Sequence, residues 1–107
     1  VTLRRVVVPE AEDELTTAFV WYEAQRDGLG AEFFEAIEAT MAQAAEDPLR
    51  WLAWFGDDRY RHTVVQRFPY LLFYELHPDT IELVAVAHSK RESGYWLSRV
   101  NHKDEGP

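Results

Sequence analysis

The chain has 107 residues, 47% of them apolar and 14% aromatic, with no cysteine and a formal net charge of −8. That length carries one hydrophobic core and one domain, and the apolar share excludes intrinsic disorder. The missing cysteines exclude disulfides, thiolate metal sites and cysteine nucleophiles, and the acidic balance argues against a broad phosphate-binding surface.

Leu3 to Val8 is short, rich in valine and ended by Pro9, which predicts a strand. Leu15, Ala18, Phe19 and Tyr22 then recur at helical spacing, predicting an amphipathic helix from about Glu10 to Arg26. Asp27-Gly28-Leu29-Gly30 breaks it, with Gly28 placed as a left-handed cap. A second helix carries Phe33 or Phe34, Ile37, Met41 and Ala44 on one face and stops near Asp47-Pro48. Three strands follow, His62 to Gln66, Tyr70 to Tyr74 and Ile81 to Ala87, with His77-Pro78-Asp79-Thr80 as the turn between the last two. A short helix is expected around Tyr95 to Val100. The order predicts an α+β domain: an N-terminal strand, an antiparallel helical hairpin, then a three-stranded antiparallel meander, with the helices on one sheet face. Residues 1–100 form this single domain, and 101–107 are expected to fray.

The charge is unevenly spread. Residues 9–50 hold eleven acids against two arginines, whereas residues 51–103 hold six acids against seven lysines and arginines. The acidity reads as a solvated helical face. No apolar run reaches the roughly 20 residues that span a bilayer, and no signal-peptide profile is present, so the expected location is the cytoplasm, with no membrane partner.

No Gly-rich phosphate loop, His-x-x-x-His pair or GxSxG elbow occurs. The four histidines, His62, His77, His88 and His102, are scattered, so no metal or other cofactor is expected. The cations Arg59, Arg61, Arg67, Lys90, Arg91 and Arg99 gather in the C-terminal half. Arg61, opening one strand, and Arg91, just past another, can meet at one end of a small sheet, where with His88 and Tyr95 they would bind phosphate and move protons. The competing reading pairs these arginines with nearby acids. His88 reads more readily as a structural histidine, Trp96 as core, and Tyr95 as either. Trp51, Trp54 and Phe55 follow the second helix and either fold over the core or form a partner-binding patch.

Taken together, Trp21-Tyr22-Glu23 with Gln25, Gly28-Leu29-Gly30 then Phe33, Arg61 ahead of Phe68-Pro69-Tyr70, Tyr74, Val84-Ala85-Val86-Ala87-His88, Arg91, Tyr95-Trp96 and Arg99 resemble the RelE/ParE superfamily of type II toxin–antitoxin toxins, also called plasmid stabilisation proteins. The resemblance runs from about Val6 to Arg99. It implies a cognate antitoxin that wraps the toxin, in a homodimer or hetero-oligomer, and two activities within the superfamily: ribosome-dependent mRNA cleavage and inhibition of DNA gyrase. Residues 54–60 are acidic and aromatic where the nuclease branch is basic, and Lys90 and Lys103 are the only lysines. The expectation is therefore a ParE-like gyrase inhibitor that acts by binding and is not an enzyme. Arg61, Arg67, His88, Arg91, Tyr95 and Arg99 are its expected functional end. The alternatives are an endoribonuclease using Arg61, His88, Arg91 and Tyr95, and an attenuated toxin-like interaction domain.

Overall fold

A computed structural model describes residues 3–100. The expected frayed tail lies outside them. Strand β1 (Arg4–Val7) runs into helix α1 (Pro9–Gln25), and Pro9 opens the helix at its first position, where a missing N–H costs nothing. Helix α2 (Leu29–Glu46) returns antiparallel to α1.

The turn between the helices depends on two glycines and one carboxylate. Gly28 has φ 90°, the left-handed conformation expected of it. A side chain at Gly30 would bring its Cβ to 2.8 Å from the Phe19 ring, so glycine is what lets the helices close. Glu23 reaches forward from α1 and accepts the N–H groups of Gly28 (2.8 Å) and Gly30 (2.9 Å), placing negative charge at the α2 N-terminus.

Beyond α2 come β2 (Leu52–Ala53), β3 (Tyr60–Val64), β4 (Tyr70–Leu76) and β5 (Thr80–His88), then a 3₁₀ turn at Leu97–Val100. The sheet order is β1-β5-β4-β3-β2, antiparallel except that β1 lies parallel to β5. The α+β class and helical hairpin are as expected; β4 runs on to Leu76 past the expected Tyr74, β5 exceeds the expected Ile81 to Ala87 by one residue at each end, and three further details differ. β2 adds a strand beyond the three expected after α2; it is two residues long, bonded to β3 through Leu52 and Ala53, and too short for periodicity to show. β3 begins at Tyr60 and ends at Val64, where His62 to Gln66 was expected. Its end is set by a tight turn in which Arg67 takes φ 75° and the Val65 N–H donates to Tyr70 O at 3.0 Å. The C-terminal helix is a single 3₁₀ turn starting at Leu97, not Tyr95.

Both faces of the sheet are covered. On the helical face, Tyr22 and Phe33 pack against Phe68 and Tyr70, with ring centroids 5.0 to 6.3 Å apart. On the other, fully buried Trp96 sits about 5 Å from each of Trp54, Tyr60 and Phe73. Tyr74 ties the end of α2 to the sheet by donating to Pro48 O at 2.7 Å, and burial pushes its hydroxyl pKa up to about 12.

Candidate functional site

The end of the sheet where β4 begins and β5 finishes carries the residues with the most chemistry. Tyr70 pairs in register with His88, and their rings meet edge to face at 5.3 Å. The chain then folds back: Ser89 N–H donates to Pro69 O (2.8 Å), Arg91 N–H to His88 O (2.9 Å) and Lys90 N–H to His88 Nδ1 (3.1 Å). Because Nδ1 accepts a hydrogen bond, the neutral His88 ring carries its proton on Nε2. Between this end and α1 lies a groove of about 640 Å³. Asp13, Thr17 and Trp21 form one wall, Tyr70 and His88 the floor, and Arg91 the opposite rim. Trp21 is 59% exposed, a large apolar surface open to a partner. Arg91 is also exposed, its guanidinium 3.7 Å from the centroid of the Tyr95 ring.

Under the groove is a polar network that sequence reasoning missed. β1 ends at Val7, so β5 runs on beyond it with backbone groups turned away from β4. Glu14 of α1 fills that position. Its Oε1 accepts the Val86 N–H (2.9 Å), and both carboxylate oxygens take the Arg99 guanidinium (2.9 and 2.8 Å). The Tyr95 hydroxyl donates to Oε2 at 2.6 Å, and Arg99 also donates to Val84 O at 3.2 Å. The two charged side chains are only 13% and 17% exposed.

Burial by itself would raise the Glu14 pKa, but the hydrogen bonds from Arg99, Tyr95 and Val86 outweigh it and hold the carboxyl below its ordinary value. Burial and then the Glu14 hydrogen bond push the Tyr95 phenol far above its usual range, so at neutral pH it donates a hydrogen bond and does not act as a base. The signal for Glu14 was present: it lies three residues after buried Ala11 and four before buried Ala18, on the core stripe of α1.

The remaining candidates are dispersed. Arg61 does not meet Arg91. It lies within β3, opposite Tyr74, and donates to Trp51 O at 2.7 Å, because strand register aims it at the loop after α2. Arg67 pairs with Glu32 at 2.8 Å and Arg59 with Asp57 at 2.7 Å, both near the surface. The tryptophan-rich loop divides. Trp54 is 7% exposed and donates from Nε1 to Ser93 Oγ, so its ring is withdrawn into the core; Phe55 is 88% exposed; Trp51 is intermediate. Among the described residues, the one group with metal-ligand spacing, Glu75, His77 and Glu82, lies at the opposite end of the sheet from the groove.

Comparison with known proteins agrees with this architecture. Residues 6–93 match the family described as the ParE toxin of type II toxin–antitoxin system, parDE. A solved structure titled "Chromosomal ParDE TA system from P. aeruginosa" is similar with a TM-score of 0.70, over 81% of this chain and 96% of that one, at 9% sequence identity, a likeness of fold. No curated protein matches the chain.

Proposed function

The chain belongs to the ParE toxin family of type II toxin–antitoxin systems, and from that membership we propose that it is a toxin acting by binding, with DNA gyrase as its target and a cognate antitoxin as its neutralising partner. The observation that carries the non-catalytic reading is the separation of the arginines. A nuclease of this kind converges cations on a phosphate. Here Arg61 is bonded to Trp51 O, Arg67 to Glu32 and Arg99 to Glu14, while Arg91 alone of that group borders the groove. Tyr95, with His88 one of the two proton-transfer candidates, is held as a donor to Glu14.

The groove suits a protein partner. Exposed Trp21 supplies an apolar anchor, Asp13 a negative wall and Arg91 a positive rim. An antitoxin segment with one apolar anchor and basic flanks would meet the acidic helical side of the groove.

The decisive experiment induces the chain without an antitoxin and follows plasmid supercoiling and translation separately. The expected result is loss of gyrase supercoiling with translation initially intact. Immediate translational arrest with cleaved mRNA, or normal growth, overturns the proposal.

A further inference from the structure

The β4–β5 hairpin turns through Pro78 and Asp79, and His77 and Thr80 close it with backbone bonds in both directions, at 2.8 and 3.4 Å. His77 is therefore fixed in position. The two-residue period of a strand places His77 on the same face as Glu75, and cross-strand register places Glu82 directly opposite Glu75. Two carboxylates and an imidazole thus share one face of a rigid hairpin. Histidine spacing alone concealed this group, since it contains one histidine, with the other ligands supplied by glutamates.

We propose that Glu75, His77 and Glu82 form a binding site for one divalent transition-metal ion of the zinc type at the tip of the β4–β5 hairpin. Two observations carry it. First, the geometry fits. His77 Nε2 lies 3.0 Å from Glu82 Oε1 and 3.9 Å from Glu75 Oε1, and donor atoms of all three residues fall within 4.8 Å of one another. Three donors held about 2.0–2.2 Å from a tetrahedral zinc ion are about 3.3–3.5 Å apart, within about 1.5 Å of the spacing found here.

Second, the ligand set is chemically selective. One imidazole nitrogen with carboxylate oxygens suits zinc and its neighbours better than calcium or magnesium, which take oxygen ligands almost exclusively. Three protein ligands leave a fourth position for water or for a donor from a partner.

The site is far from the groove and does not depend on the gyrase reading.

The test is calorimetric titration of the chain with zinc chloride at neutral pH, beside His77→Ala, Glu82→Gln and a groove control, His88→Ala. The expected result is one zinc ion per chain and a melting temperature that rises with zinc concentration. His77→Ala and Glu82→Gln each weaken binding by at least about tenfold, and His88→Ala does not. Cobalt substituted for zinc should give the visible absorption of a tetrahedral centre, lost in His77→Ala. Because the hairpin is closed by backbone bonds, His77→Ala should melt close to the parent without metal, separating lost binding from lost folding. No zinc uptake overturns the proposal, leaving a His77–Glu82 hydrogen bond alone. Uptake undiminished in His77→Ala also overturns it, placing the metal on other histidines.

Discussion

Arg91 and Arg99 belong to the same short C-terminal segment and the same motif, yet their surroundings are opposite. Arg99 is nearly enclosed, its guanidinium shared between the Glu14 carboxylate and Val84 O. Arg91 is exposed on the rim of the groove, with the face of Tyr95 beneath it. Tyr95 divides the two, its ring under Arg91 and its hydroxyl on Glu14. One arginine fastens the segment to α1 and bonds the unpaired part of β5, and the other is thereby held at the surface.

Three changes would break or sharpen that contrast. The largest effect is expected from Arg99→Ala, which strands the Glu14 carboxylate in a mostly buried position. Breaking such a pair from one side should cost about 3 kcal/mol, measurable as a lower urea midpoint at unchanged slope. A loss under about 1 kcal/mol would mean that the enclosed pair is no more structural than a surface one.

A smaller effect should appear in acid. The folded Glu14 pKa lies below its ordinary 4.5, so its contribution is complete above that value and is lost as pH falls through the lower folded one. Glu14→Gln should therefore flatten the acid limb of a stability-versus-pH curve below about pH 4.5, leaving the limb above it parallel to the parent.

The smallest stability effect belongs to Arg91→Ala, under about 1 kcal/mol for an exposed cation over a ring. Its effect on toxicity in the induction assay should nevertheless exceed that of Arg59→Ala, whose guanidinium is held near the surface by Asp57. Equal toxicity in both variants would remove Arg91 from the functional surface.

Much of the fold was legible in the residues because it follows from periodicity. The stripes of α1 and α2, the glycine turn and the β4–β5 hairpin each impose a local pattern. What escaped depends on contacts between distant positions. Nothing local shows that β1 pairs with β5, or that Arg61 would be carried by strand register to the loop after α2 and away from Arg91. Trp54 and Phe55 are adjacent and equally apolar, yet one packs on Trp96 and the other faces solvent, a choice made by the turn between β2 and β3. By composition Glu14 belongs to the acidic helical face, yet its place between Ala11 and Ala18 on the core stripe marks it out. His88 and Arg91, both singled out by the resemblance, line one groove.

The pairing of β1 with β5 also sets an order of events during synthesis. Arg4 lies beside Thr80, so an early strand must wait for a late one before its bonds can form. The groove has the same dependence, with α1 on one side and His88 and Arg91 on the other. Closing so long a loop is slow and cannot begin before β5 has left the ribosome. A nascent chain consequently has neither a paired β1 nor the groove until β5 is available, and the two come into being together, as the same act that completes the sheet.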